Sequence, residues 1–384
     1  MDSSGQGSSG AVAVVGGGVI GLSCAWRAAS AGFTVTVYDP EPGSGASRVA
    51  AGMLAPVTEG MPSEAEALAL GIASLRRWPD FAAELTTAGT APGLSTAGTL
   101  VVALDPSDRA ELDRFAEQLS RMGQQVEVLT GRAVRRVEPS LGPRVSRALS
   151  VPGDLSVDSN ALVDALLAAC RGAGVQFHRQ RCETLPQADV VLLAAGAHSA
   201  ALHPALHGAI RPVKGETLRL RSRPGTLPPP SRNIRALVGG RRCYLVPRAG
   251  GRVVLGATQR EVGFDTDVTA GGMLDLVTDA SCVLPAIAEY ALEQTAGGLR
   301  PGSPDNLPVI GELEPGVLAA TGHYRHGILL APLTAEAVLA LLRGQPVPPE
   351  VLPATPARLP CGQPVSGNMS YSDGYHARGS RSDP

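Results

Sequence analysis

Lysine is nearly missing from this chain. Lys214 is the only one among 384 residues, and arginine carries the rest of the positive charge. The formal net charge is −2, which excludes the basic footprint of a nucleic-acid binder or of a protein held on an anionic membrane surface. Six cysteines are present, at positions 24, 170, 182, 243, 282 and 361. None forms a Cys-x-x-Cys pair and none has zinc spacing, so no metal site is expected. Unpaired thiols fit a reducing, cytoplasmic setting. Residues 1–10 are polar and Gly/Ser-rich, without the basic and apolar regions of a signal peptide. Gly, Pro or charge interrupts every apolar run before the ~20 residues that span a bilayer. No internal repeat is visible.

What remains is the composition of a globular chain, 44% apolar and 18% charged, long enough for two domains that could interleave. Ala11–Val15 is a short apolar run entering a Gly-rich turn, residues 19–31 have helical composition, and Thr34–Tyr38 is a β-branched strand. Together they make one βαβ unit. Residues 64–85, 109–123 and 160–174 read as helices, and 189–195 as a buried strand. Residues 210–220, 242–247 and 252–258 alternate polar and apolar side chains, the texture of antiparallel strands. Residues 317–320 and 328–331 flank a Gly-His-Tyr-Arg-His-Gly loop, and 334–342 form a last helix. Beyond about residue 344 the chain is rich in Pro, Ser and Gly and reads as a disordered tail.

Gly16, Gly18 and Gly21 spell G-x-G-x-x-G between the first strand and helix. The first glycine permits the tight turn, the second lets a pyrophosphate approach the backbone, and the third lets helix and strand pack closely. The helix N-terminus then presents N–H groups and its positive dipole end to phosphate. Asp39 closes the second strand, where a carboxylate receives ribose hydroxyls. This constellation predicts dinucleotide binding. A second signature, the strand ending in Ala195-Gly196 within residues 189–199, favours FAD over NAD because a small-residue turn lets the backbone pass an extended cofactor.

Five blocks together resemble the D-amino-acid oxidase superfamily, in its glycine oxidase branch. They are residues 13–39, residues 46–56 (Ala-Ser-Arg-Val-Ala-Ala-Gly-Met-Leu-Ala-Pro), residues 211–220, residues 243–258, and residues 298–332 with Leu-Arg-Pro-Gly and Gly-His-Tyr-Arg-His-Gly. The resemblance implies an α/β fold (α+β overall). A glutathione-reductase-type, Rossmann-like FAD domain is assembled from residues 11–85, 150–210 and 295–345. A mostly antiparallel β substrate domain comes from 86–149 and 211–294, with 1–10 and 346–384 disordered. It implies non-covalent FAD, contacted by Gly16, Gly18, Val19, Ile20, Gly21, Asp39, Ser47, Ala50, Ala51, Gly52 and Met53. Ala195 and Gly196 contribute, as does the loop His323, Tyr324, Arg325, His326, Gly327 and Ile328.

The same resemblance places Arg300 and Tyr244 on the substrate carboxylate, Arg325 in the loop closing over the substrate, and Gln259 over its side chain. A guanidinium is planar and permanently charged, so it grips a carboxylate through two parallel bonds. The implied activity is oxidation of glycine, and of sarcosine or small D-amino acids, by O₂, feeding thiazole assembly for thiamine. The implied assembly is a homotetramer. No acid–base residue is expected, because the cofactor supplies the hydride chemistry. Other readings stand beside these. Arg300 could pair with a surface acid, Tyr244 could be a core aromatic, and His323 and His326 could be ordinary loop histidines. A D-amino-acid or sarcosine-type dehydrogenase or oxidase, or a flavin-binding scaffold without turnover, fits the same motifs. Three positions depart from the family pattern: Asp39 in place of Glu, Arg48 in an apolar block, and the polar Gln259.

Overall fold

The computed structural model describes residues 10–60 and 64–359. Two large sheets organise it. The first has six strands in the order Val309–Glu314, Val317–Thr321, Val190–Leu193, Ala11–Val15, Thr34–Tyr38 and Gln176–His178. All its pairings are parallel except the hairpin that joins the first two. Both faces are covered, as near-continuous apolar strands require. On one face the helices Val19–Ser30, Ala65–Thr87, Ser159–Gly172 and Gly327–Leu342 pack with Leu22, Trp78, Phe81 and Leu166 at their contact. On the other, Ala13, Leu193, Val309 and Ala319 pack under Leu206 and Ile210.

The second sheet has eight strands in the order Ala291–Gly302, Arg211–Arg221, Arg252–Gly256, Arg241–Arg248, Asn233–Val238, Thr99–Ala103, Arg147–Val151 and Glu127–Thr130. It is antiparallel except where Thr99–Ala103 lies parallel to Asn233–Val238. The helix Ala270–Val283, capped by Thr269 through its hydroxyl, covers one face and buries Leu276, Ala280 and Val283 against Leu245 and Leu255.

Several sequence expectations change here. The last helix begins at Gly327, not at 334, and absorbs residues 328–331. Pro332 falls within it, and the Leu329 carbonyl is met by Ser74 Oγ at 2.6 Å and Trp78 Nε1 at 2.9 Å. With Tyr324–His326 this makes a 19-residue run, Tyr324–Leu342, long and apolar enough to cross a membrane by length and composition. It is nevertheless the core helix of the first layer, packed against Val19–Ser30 and Ala65–Thr87. The expected tail is ordered for another 15 residues: Pro349–Ala354 and Pro356–Arg358 form short 3₁₀ turns, with Val351 and Ala354 fully buried. Arg358 fixes this segment by bonding Asp305 at 2.7 Å and the Leu307 carbonyl at 2.7 Å. Residues 1–9 and 360–384, which complete the two expected disordered ends, lie outside the described residues. The strands Thr99–Ala103, Glu127–Thr130 and Arg147–Val151 have no counterpart in the sequence reading.

Candidate active site

A cavity of about 880 Å³ runs between the two sheets, from the glycine loop to Arg300. That volume is at the upper end of what small-molecule sites enclose.

At one end the first strand stops at Gly16, whose φ of +110° only glycine adopts readily. A side chain there would also strike the Ala194 carbonyl at 2.4 Å. The helix then starts at Val19, and Gly21 packs so closely beneath the loop that a Cβ would lie 1.9 Å from the Gly16 carbonyl. Gly16, Gly18, Val19 and Ile20 line the cavity, whereas Gly21 supports them from behind. Asp39 is on the wall too. Its carboxylate accepts the Gly17 N–H at 2.7 Å and the Glu41 N–H at 2.8 Å, which ties the glycine turn after the first strand to the segment that follows the second. Ser47 accepts the Val19 N–H at 2.9 Å, so this segment is tied directly to the helix N-terminus.

Ala50, Ala51, Gly52 and Met53 continue the wall. Gly52 has φ +73° and presses on the Val157 carbonyl. The buried Arg248 clamps the segment from outside, bonding the Ala51 carbonyl and, at 2.9 Å, the Val157 carbonyl. Burial lowers the Arg248 pKa to about 10, and Asp158 only partly restores it. Arg48 points away from the cavity: it bonds Asp164 at 2.6 Å and the Gly43 carbonyl at 2.8 Å. Ala195 and Gly196 face the cavity from the end of Val190–Leu193.

At the other end stand Arg300 and Tyr244. Arg300 projects from Ala291–Gly302 across Gly215 of the neighbouring strand, donating to the Lys214 and Thr258 carbonyls at 3.3 and 3.2 Å. Only glycine at 215 permits this, since a Cβ would sit 2.2 Å from the guanidinium. Among the described residues no acid pairs with Arg300. Tyr244 lies in the same way over Gly256. Burial raises its pKa, opposed by Arg300, so the phenol stays protonated and able to donate.

The closing loop is arranged differently from the sequence expectation. His323, Tyr324, Arg325, Gly327 and Ile328 line the cavity, but His326 does not. Arg325 is paired with Glu64 at 3.3 Å. His326 turns behind the wall, where its Nδ1 lies 3.4 Å from Glu59. His323 meets the Thr334 hydroxyl at 3.0 Å, and burial, with His326 adding to it, lowers its pKa to about 3. Both histidines are therefore neutral, since burial lowers His326 as well, against the pull of Glu59. Gln259 is exposed and off the cavity wall. Thr258, bonded to the Glu216 N–H, and Arg260, bridged to Lys214, turn residue 259 outward. Lys214 is 1% exposed and engaged with Asp265 at 2.6 Å and Glu216 at 3.5 Å on the side away from the cavity.

The sequence reading missed Glu59. It lines the cavity, bonds Arg235 at 2.6 Å, and is 13% exposed. Burial would raise its pKa, but the charge of Arg235 first, and of Arg325 with it, outweighs burial and keeps it ionised. Behind it the fully buried Asp154 accepts the Thr58 hydroxyl at 2.7 Å, and burial raises its pKa to about 7. Among the described residues no cluster of His, Cys, Asp or Glu could hold a metal, and the five cysteines are unpaired.

The donors and shapes fit FAD. A helix N-terminus and glycine turn stand ready for a pyrophosphate, a carboxylate for a ribose, and small residues line the path between. Comparison with known proteins agrees. The model of the DAO family, described as FAD dependent oxidoreductase, matches residues 11–341. The chain is 32% identical over 354 residues to glycine oxidase of Geobacillus kaustophilus, covering 86% of this chain and 92% of that one. It is 32% identical over 368 residues to the bifunctional protein ThiO/ThiG of Synechocystis, spanning 90% of this chain and 54% of the longer relative. The crystal structure of the Geobacillus kaustophilus glycine oxidase superposes with a TM-score of 0.83 at 31% identity, covering 91% and 98% of the two chains. Cofactor cradle, fold and sequence agree, and the chain belongs to the DAO family of FAD-dependent oxidoreductases.

Proposed function

We propose that this enzyme oxidises glycine with O₂, yielding glyoxylate, ammonia and hydrogen peroxide. The observation that carries the reading is Arg300, which has no acid partner among the described residues. It is laid over Gly215 in the same cavity as the phosphate loop. A half-buried guanidinium facing a cavity without a carboxylate partner is short of a counterion, and a substrate carboxylate supplies what it lacks. Tyr244 adds one hydrogen bond. Arg300 and Tyr244 fix the carboxylate, so the neighbouring Cα–H bond is held in one orientation. Bound FAD supplies the two-electron acceptor. Non-covalent attachment is part of the reading, and denaturation would release the flavin into solution.

Among the described residues none is offered as a base to the substrate amine: His323 and His326 are neutral but hydrogen-bonded or turned away, and Glu59 is a weak base held ionised by Arg235. The amine therefore enters deprotonated or loses its proton to water. A similar protein of Rhizobium etli, named as a putative thiamine biosynthesis oxidoreductase ThiO, supports a role in thiamine biosynthesis, and feeding thiazole assembly is part of the same reading. Cytoplasmic location and a homotetramer belong to the same reading; light scattering measures the latter.

The test is peroxide release with flavin absorbance followed in parallel, in air and then without it, for glycine, sarcosine and D-alanine. Peroxide with glycine preferred supports the proposal. Anaerobic bleaching without peroxide in air would move the enzyme to the dehydrogenases. No bleaching with any amine would remove glycine as substrate and leave the cofactor site standing.

A further inference from the structure

The charges around the Arg300 end of the cavity can be added up. Tyr244 feels Arg300, Glu59 and Arg235, and Glu59 feels Arg235 and Arg325, so these groups share one region. Three charged side chains face the cavity there: Arg300, Arg325 and Glu59. Two stand behind them, Glu64 on Arg325 and Arg235 on Glu59. His323 and His326 are neutral. Front and rear layers together leave one positive charge. A neutral-amine glycine carries one negative charge, and the two match.

Arg235 is not remote from the cavity. Its Nη1, besides bonding Glu59, lies 3.8 Å from the sulfur of Met53, which lines the wall. Its side chain is 13% exposed, so water screens it little. Among the described residues its ion-pair partner is Glu59, which stands between it and the substrate space; the buried Asp154 also feels Arg235 from behind, but burial keeps that carboxyl largely protonated below about pH 7.

We infer that the Glu59–Arg235 pair sets charge specificity: it limits the site to amines bearing one carboxylate and turns away those bearing two. The inference rests on the amine-oxidase reading above. It follows that replacing Glu59 by glutamine, which keeps the shape and can still accept from Arg235, uncovers the Arg235 charge and adapts the site to a dianion. The substrate that reports this is iminodiacetate, a glycine with a second carboxymethyl arm on nitrogen. It undergoes the same oxidation: iminodiacetate, O₂ and water give glyoxylate, glycine and hydrogen peroxide, with the Cα hydride and the amine proton leaving as the C=N bond forms. Sarcosine, with a neutral arm on the same nitrogen, controls for size.

The experiment compares kcat/KM for glycine, sarcosine and iminodiacetate in flavin-loaded wild type, Glu59→Gln and Glu59→Gln/Arg235→Gln. In Glu59→Gln the iminodiacetate-to-glycine ratio should rise about 10- to 30-fold, the scale of one charge acting over roughly 8–12 Å through an effective dielectric near 20. The sarcosine-to-glycine ratio should hold, and the double variant should return the iminodiacetate ratio to its wild-type value. An unchanged ratio, a parallel rise for sarcosine, or a raised ratio persisting in the double variant would overturn the inference. A second measurement needs no variant. In wild type, acetate should perturb the flavin spectrum at lower concentration than malonate, and equal or tighter malonate binding would also overturn it. If wild type oxidises no amine, the fault lies in the proposed function; normal glycine turnover with an unmoved ratio condemns the charge argument alone.

Discussion

Gly215→Ala isolates the carboxylate clamp from the stability of the fold. Gly215 sits in the strand Arg211–Arg221 without a positive φ, so alanine suits its backbone and favours the strand by roughly 0.5–1 kcal/mol. The added Cβ would stand 2.2 Å from one terminal nitrogen of Arg300, 2.3 Å from the other and 2.4 Å from the carbon between them. The guanidinium is the far end of a flexible chain and will move. To reach ordinary contact at 3.4 Å it must retreat by roughly 1 Å, a misplacement that can cost about 100-fold in an active site. Hydrogen bonds to a charged group contribute about 1.5–3 kcal/mol, which corresponds to roughly 10- to 150-fold in Kd. The assay is anaerobic reduction of the flavin over a range of glycine concentrations. The apparent glycine Kd should rise by that factor and the melting temperature should hold or increase. An unchanged Kd would refute the placement of the substrate carboxylate on Arg300. A collapse in melting temperature would refute the claim that only a flexible side chain is displaced.

Three further outcomes follow from the geometry. Gly21→Ala would push a Cβ to 1.9 Å from the Gly16 carbonyl, where backbone rather than a side chain must yield; the purified variant should have a lower flavin-to-protein absorbance ratio, and normal loading would count against the close-packing argument. Burial pushes the folded Asp154 pKa up to about 7, above the ordinary 3.8 of a free aspartate, so its contribution is most favourable below pH 4 and is lost as pH rises through 7. Asp154→Asn should therefore gain on wild type in stability as pH rises from 4 to 7 and keep that gain above 7, by up to about 4 kcal/mol from three pKa units, and a gap that narrows with rising pH would refute this. His323 behaves oppositely, with a folded pKa of about 3 against 6.5: its contribution is intact above pH 6.5 and lost as pH falls toward 3. His323→Asn should flatten the acid limb of the melting curve, and an acid limb as steep as that of wild type would show that another group governs it.

The sequence was most readable where function depends on neighbours in the chain. The glycine spacing at 16, 18 and 21, the acid at 39 and the apolar run before them are local requirements of a strand–turn–helix, and the structure assembles them without rearrangement. The Leu-Arg-Pro-Gly block likewise drew attention to Arg300. It was least readable where side chains meet across the fold. The strand Thr99–Ala103 was missed because its partner, Asn233–Val238, lies far along the chain and its own residues show no alternation. Residues 345–359 looked like a tail because their Pro-rich composition hides that Val351 and Ala354 have a core to enter.

The amino-acid sequence by itself determined the cofactor class and the βαβ unit that receives it, because a backbone approached by phosphate must be glycine whatever surrounds it. It also supplied the arginines. Which of them has no counterion among the described residues was decided only by tertiary structure. Arg325 meets Glu64 across 261 positions and Arg235 meets Glu59 across 176, while Arg300 lies on Gly215 with two carbonyls. Charges of one kind are interchangeable in a sequence, and only the path of the chain brings each to its counterion or leaves it without one.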